Sequence, residues 1–506
     1  MPEYLSPGVY VEEVPSAVKP IAGVSTSTAA FIGVVPNTFQ MIEENPDFDP
    51  TRQETDEAGK FKAADGSDKQ ADRPNPRVFT WTFPYGQAKD AAPEEQKKWQ
   101  AAQDAFAKVW DANARPPRVV PGTKPEDFKA AQKEFLRGSA RAAMGPLAEI
   151  GTPVLCTSFE DFKSNFLDFS LDANQNRLAH AVFGFFNNGG TRAYVMRYAT
   201  IEDVKNPENW EPLEAIDEIS LVAAPVGDPD PDPGKKATTN LIVQNNLIDH
   251  CEKLMSRFAI IDAPELPSPG QGQRGPDLTE TNIKVPDRNT DYGALYFPWV
   301  QVFDMPAQLK DPNSNGEKFV GPCGHMAGIY SRVDHERGVH KAPANEVVRG
   351  ALDIEHQISK NVQDGLNPYG VNCIRFINDN IRVWGARTIG GDANADLKYI
   401  NVRRVLIFLR ESIDRGTQWV VFEPNDRALW AKIVRNISDF LTNVWRDGAL
   451  FGSTPQEAFY VKCDDTLNPP EERDLGKVTT EIGVSIVRPA EFVIFRISQW
   501  AGPKSQ

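Results

Sequence analysis

The feature that most constrains this chain is a short β-patterned segment with no local partner. Val9, Val11 and Val14 are interrupted by Tyr10, Glu12 and Glu13, with Pro7-Gly8 before them and Pro15 after. A period-2 pattern bounded in this way reads as an extended strand. One short strand is not stable alone, so residues 9–14 must add to a sheet elsewhere. The next apolar run, Thr28-Ala29-Ala30-Phe31-Ile32-Gly33-Val34-Val35, reads as a buried strand of the first core.

The last hundred residues pose the same problem from the other end. They predict an amphipathic helix from Tyr399, a buried strand around Trp419-Val420-Val421-Phe422, and a long helix over 426–447. A terminal β-rich arm follows, with strands at 483–486 and 492–497 around a break at Pro489. The second helix carries an apolar stripe of Leu429, Ile433, Ile437, Phe440, Leu441 and Val444, with Lys432, Arg435, Asp439 and Arg446 off it. This end looks built to join other copies of the chain.

Length and charge narrow the function classes. A chain of 506 residues exceeds one typical core, so two or three domains are expected. Its 40 prolines point to loops and extended arms. A net charge of −15 argues against nucleic-acid binding as the main activity. That acidity reads as solubility, the sharper alternative being an acidic wall facing a basic partner. Five scattered cysteines, Cys156, Cys251, Cys323, Cys373 and Cys463, fit free thiols in a reducing compartment. No apolar run approaches the ~20 residues of a membrane helix, and Met1-Pro2-Glu3-Tyr4 does not open a signal peptide. The expectation is synthesis and folding in the cytoplasm, no direct membrane insertion, and exit only by a route such as lysis.

Between the ends, residues 37–150 turn polar and proline-rich, with helical stretches predicted at 91–114 and 125–143. Trp99, Phe106 and Trp110 would share one face of the first. From Gly151 an α/β pattern follows. Ser158 and Asp161 form a capping-box pair, 179–187 reads as a helix ended by Asn188-Gly189-Gly190, and 193–198 as a strand. A strand near 221–225, a helix over 240–256 and a strand over 258–262 come next. Beyond a loop at 264–286, one strand is predicted at 296–303, a loop at 306–315, one or two helices in 321–369 split by Gly338 and Pro343, and strands at 373–377 and 382–384. No internal repeat is visible.

Several stretches carry a family resemblance. They are Tyr4-Leu5-Ser6-Pro7-Gly8-Val9-Tyr10-Val11-Glu12-Glu13, His325-Met326-Ala327-Gly328-Ile329-Tyr330-Ser331-Arg332-Val333-Asp334, Val383-Trp384-Gly385-Ala386-Arg387-Thr388, Tyr399-Ile400-Asn401-Val402-Arg403-Arg404, Trp419-Val420-Val421-Phe422-Glu423-Pro424-Asn425-Asp426 and Pro489-Ala490-Glu491-Phe492-Val493-Ile494. In order and density these blocks resemble the tail sheath proteins of contractile phages and phage-tail-like contractile injection systems. His340 departs from the pattern, since the family usually has an aromatic residue such as Trp there.

The resemblance implies a mixed α/β tail-sheath fold, with an inner core formed by the N- and C-terminal segments and variable domains inserted outside it. The expected division is an arm and first core strand at 1–36, a helical insertion at 37–150, an α/β domain at 151–320 and a sheath core at 321–506. Val9, Tyr10, Val11, Glu12 and Val14, with Phe492, Val493, Ile494, Phe495, Arg496 and Ile497, would be strand arms exchanged with neighbouring copies. The 426–447 helix would face an inner tube through Lys432, Arg435, Asp439 and Arg446. The implied partners are other copies in stacked hexameric rings, the inner tube protein, and baseplate and cap or terminator proteins, with no nucleic acid and no cofactor.

Enzyme readings are weaker. Cys323, His325, His335 and His340 match no standard zinc spacing, so no metal is expected. No Walker A, nucleophile-elbow or dinucleotide fingerprint is present. Asp464-Asp465 and Glu471-Glu472 read as a solvated turn, and Trp299, Trp384, Trp419, Trp430 and Trp445 as core. A polysaccharide-acting or adhesive enzyme is the competing class, and would need paired carboxylates in a cleft. An inner tube or cap is disfavoured by length.

Overall fold

Every residue of Ala29–Val34 (β1) is buried, because the strand lies inside an eight-stranded sheet. The computed structural model describes residues 20–36, 147–226, 233–266, 288–310 and 315–496, with isolated positions and backbone segments between 38 and 127 and at 278–283. The chain divides into two compact units: Ser25–Arg337 with Lys341–Arg403, and Met1–Val24 with Gly338–His340 and Arg404–Gln506. The boundary expected at 320/321 therefore falls inside the larger unit, and β1 belongs to that unit.

In the larger unit, Thr38–Glu44 (β2) pairs antiparallel with Val78–Pro84 (β3), and Trp110–Asp111 (β4) with Arg118–Val119 (β5). These ladders add strands to the 37–150 segment, where only helices at 91–114 and 125–143 were expected; Asp104, Ala105 and Lys108 are helical within the first of these. Trp110 is extended, so it does not extend a helical face with Phe106. Pro116-Pro117, close behind it in sequence, disfavours helix there.

The main sheet is assembled from Val154–Cys156 (β6), Ala193–Tyr198 (β7), Leu221–Ala223 (β8), Phe258–Asp262 (β9), Gly293–Phe297 (β10) and two later strands. Between them run Phe159–Phe166 (α1), Ala173–Asn187 (α2) and Pro233–Leu254 (α3). The capping box at Ser158 and Asp161 forms as the sequence indicates. Helix α2 starts earlier than expected because the Asp172 carboxylate accepts the Asn174 and Gln175 N–H groups.

The strand expected over 296–303 is two strands. A cis Phe297–Pro298 bond separates β10 from Val300–Phe303 (β11), which enters a second sheet. Nor is 306–315 all loop: Met305–Lys310 (α4) is helical, with the Asp304 carboxylate accepting Ala307 N–H at 3.2 Å. Glu317–Val320 (β12), Cys323–Arg337 (α5), Asp353–Ile354 (β13) and Lys360–Leu366 (α6) follow. Val371–Ile377 (β14) and Asn380–Val383 (β15) complete the large sheet.

Its order is β15-β14-β10-β9-β8-β1-β7-β6, with six central strands parallel and antiparallel strands at both edges. Burial on both faces explains the continuous apolar runs that made these strands legible. The chain reverses its direction of growth between β1 and β8, which makes the sheet doubly wound. Near this point Arg197, itself buried, donates from Nη1 to the Val35 carbonyl at 2.9 Å. Trp299 is buried as expected, whereas Trp384 is exposed.

Helices α2 and α5 pack backbone to backbone. A Cβ on Gly324 would lie 2.0 Å from the Ala181 carbonyl oxygen, and one on Gly328 2.4 Å from that of Phe185. His325 lies buried in this seam with Nδ1 unpartnered, and burial together with His180 pushes its imidazole down to about 4. His180 itself bonds Asp304 at 2.9 Å.

A depressed imidazole value means that the unfolded chain takes up its proton first. The contribution of His325 to stability is thus complete above the usual value of 6.5 and declines as pH falls towards 4. His325→Gln should flatten that part of a chemical-denaturation profile, and an unchanged slope would count against this reading of the seam.

Candidate assembly surface

The smaller unit is built from both ends of the chain. Ile400–Gly416 (α7) enters it at Arg404, and Arg427–Arg446 (α8) packs on it through period-3.6 apolar stripes. Val405, Leu409, Leu429, Ile433, Ile437, Phe440, Leu441 and Val444 form the shared core. Each such side chain contributes roughly 1.5–3 kcal/mol on burial. Asp426 starts α8, its carboxylate accepting Leu429 N–H at 2.8 Å. Buried Trp430 donates from its indole to Asn425 at 2.9 Å, and Asn425 donates in turn to the Lys477 carbonyl.

Lys432, Arg435, Asp439 and Arg446 are all exposed on α8, opposite that core. Spacings of three, four and seven place them on one face. None has an ion-pair partner among the described residues. The face thus offers three cations and one carboxylate to solvent.

After α8 the chain forms an antiparallel pair, Phe459–Lys462 (β16) with Glu481–Val484 (β17). The first strand was not among the sequence expectations, although Phe459 and Val461 alternate with exposed Tyr460 and Lys462. The second lies two residues earlier than the expected 483–486, and Ile486 continues it by bridging Leu450. The Tyr460 ring lies over Gly483, where a Cβ would meet it at 2.1 Å. Buried Asn468 closes the connection: it donates to the Thr479 carbonyl and accepts Thr479 N–H at 2.6 Å. Among the described residues this sheet has two strands, so its outer edges carry no ladder partner.

Residues 492–496, part of the strand read from sequence at 492–497, form no ladder among the described residues. Phe492, Val493, Ile494 and Phe495 are between 68% and 83% exposed, and Arg496 is exposed too. Four consecutive large apolar residues in water mark an interaction segment. Ile497 lies outside the described residues, as do Val9, Tyr10, Val11, Glu12 and Val14.

The buried strand expected at 419–422 is absent. Gln418–Val420 is a 3-10 turn, and Val421 and Phe422 face solvent. An apolar run alone does not distinguish a strand from a turn awaiting a cover.

Asp262, raised to about 6 by burial, accepts the Cys323 N–H at 2.6 Å and so caps α5. A cavity of about 30 Å³ beside it, lined by Arg177, Asn240, Gln244 and Trp299 among others, is the size of one or two waters. No cluster of three or more His, Cys, Asp or Glu suited to a metal occurs among the described residues. All five cysteines are free thiols.

Residues 232–389 match the phage tail sheath protein central domain, and residues 392–499 match the phage tail sheath C-terminal domain. Together the matches cover more than half of the chain. The chain belongs to the phage tail sheath family. Among curated relatives, the tail sheath protein of Burkholderia phage BcepMu is 26% identical over 247 residues, 47% of this sheath chain and 48% of that relative. That of Vibrio phage KVP40 is 25% identical over 189 residues, 37% of this chain and 27% of that relative. The sheath chain thus spans about half the length of the first and about a quarter of the second.

Solved structures share the fold along nearly the whole chain. The PVC sheath complex of an extracellular contractile injection system, in its contracted state, gives a TM-score of 0.59 at 20% identity and 99% coverage of both chains. The helical sheath of the anti-feeding prophage, also contracted, gives 0.59 at 22% identity, covering 98% of this chain and 99% of that one. The mixed α/β architecture is therefore that of a contractile sheath subunit.

Asn468→Ala should leave the Thr479 N–H unpaired and cost about 1–3 kcal/mol. Hydrogen exchange at the amides of β16 and β17 should rise with it. Unchanged protection there would show that the hairpin does not depend on this residue.

Proposed function

We propose that this chain is the structural subunit of a contractile sheath and acts by assembly, not by catalysis. It polymerises helically, as stacked hexameric rings, around an inner tube in a metastable extended state. Baseplate triggering releases it, and contraction drives the tube through a target membrane. The observation that carries this reading is the pairing, in one unit, of a sheet that has two strands among the described residues and a C-terminal apolar segment that no described residue covers.

Strand addition is the interaction that satisfies both. An incoming strand gives main-chain hydrogen bonds to an open edge and places alternate side chains in pockets. The C-terminal arm, Phe492 to Ile497, and the N-terminal arm, with Val9, Tyr10, Val11, Glu12 and Val14, supply such strands to neighbouring copies. A head-to-tail exchange that does not close on itself generates a helical tube. The smaller unit, made from both chain ends, contributes to the inner core of the sheath. During contraction the subunits rotate as near-rigid bodies while the arms act as hinges. Energy stored at assembly drives the stroke, so no nucleotide is consumed.

The inner tube meets α8. Its three unpaired cations complement an acidic tube surface, and Asp439 sets the register on that face. Baseplate and cap or terminator proteins bound the ends of the sheath. Assembly takes place in the cytoplasm, and the particle leaves with cell lysis when it is released.

Co-expression with the candidate tube subunit tests this by negative-stain electron microscopy. Striated cylinders are expected, and they should be lost when residues 1–15 are deleted. Uniform monomers beside well-formed tubes would contradict the sheath reading. Lys432→Glu with Arg435→Glu should reduce sheathed tubes at least several-fold while leaving the purified chain folded. Normal sheathing by that double variant would remove α8 as the tube contact.

A further inference from the structure

The turn between α7 and α8 is an unusual thing to leave in water. Phe422 is 103% exposed, Val421 beside it is exposed too, and Phe422 holds φ at +68°. A bulky residue in the left-handed region is strained, and such strain persists where the surroundings fix it for a purpose. The loop is anchored downstream by Asn425, which bonds the Lys477 carbonyl at 2.8 Å. The knuckle is therefore held out by the fold.

The path of the first described residues indicates what covers it. Val24 N–H donates to Ser412 Oγ at 3.1 Å, Gly23 lies against the Phe408 ring, and Ile21 packs where a Cβ on Gly416 would come within 2.6 Å of it. Read towards the N-terminus, the chain runs along α7 from Ser412 to Gly416, the end of the helix. Pro20 thus stands near the start of the turn, with nineteen residues still to come outside the described structure. At ~3.3 Å per extended residue, the five before Pro20 reach about 17 Å.

Those five residues have fitting chemistry. Pro15, Ala17 and Val18 are apolar and small enough to lie across a Val–Phe knuckle, and Pro15 and Pro20 favour extended backbone in the residues before them. Lys19 would meet the exposed carboxylate of Glu423. A tethered segment also outcompetes an identical one from solution through its effective concentration.

We propose that the Val421–Phe422 turn is the seat of residues 15–19 of the same chain. The seat covers the strained aromatic and sets the direction in which the N-terminal segment leaves the smaller unit. The functional meaning of this inference rests on the arm-exchange reading, because a fixed root aims the strand at 9–14 towards its acceptor sheet. The docking itself does not.

Site-directed disulfide formation in the full chain tests it. Val18→Cys and Phe422→Cys would be combined in a Cys463→Ser background, the other four cysteines being buried. Mild oxidation of the dilute monomer should give an intramolecular disulfide, seen on a non-reducing gel and by mass spectrometry, at least ten-fold faster than a Val18→Cys, Arg446→Cys control. Disulfide-linked dimers would assign the turn to a second copy and overturn the proposal. A rate equal to the control would overturn it as well. Assembly of the same variant under reducing conditions is scored separately. A fast internal disulfide in a chain that never assembles upholds the docking while defeating arm exchange, and assembly without the disulfide does the opposite.

Discussion

Backbone hydrogen bonding at open strand edges is the constraint on which this structure depends. A β-strand presents N–H and C=O groups that must find partners, and a two-stranded sheet satisfies only its inner pair. The hairpin of Phe459–Lys462 and Glu481–Val484 leaves its outer edges open among the described residues. The same unit carries the exposed run from Phe492 to Phe495. An open edge and an uncovered apolar run are each a liability in an isolated chain, and in the proposed exchange each supplies what the other needs. The proposed exchange between neighbours would resolve both at once, with main-chain bonds for affinity and alternating side chains for register.

The larger unit answers a different demand. A subunit of the kind proposed must move without deforming, and the buried polar groups of the larger unit serve its packing. Asp262 caps a helix, Arg197 holds the Val35 carbonyl, and His180 with Asp304 ties one helix to the strand connection. Close backbone contact at Gly324 and Gly328 leaves the packed helices no room to slide.

Much of this was legible in the sequence wherever burial was two-sided or periodicity long. Strands 193–198 and 258–262 read directly from continuous apolar runs, and the α8 stripe from its 3.6 spacing. Misreadings arose where a local device overrode pattern. Pro298 split one apparent strand into two that enter different sheets, and Asp304 started a helix in an apparent loop. The Trp419–Phe422 run has the composition of a buried strand but lacks a ladder partner, so burial could not be inferred from hydrophobicity alone. For the assembly surface, the exposed cationic face of α8 was visible from spacing, whereas β16 was hidden by its brevity. Strand arms of the kind proposed would be unreadable in one copy, because their partners would belong to another.

The most direct test of the central claim is a density map of the assembled particle at a resolution that traces side chains. The account predicts that β16 and β17 form the middle of a four-stranded sheet. The outer strands would be residues 9–14 of one neighbour and 492–497 of another. A sheet that remains two-stranded in the assembly, with both chain ends folded back on their own subunit, would contradict it.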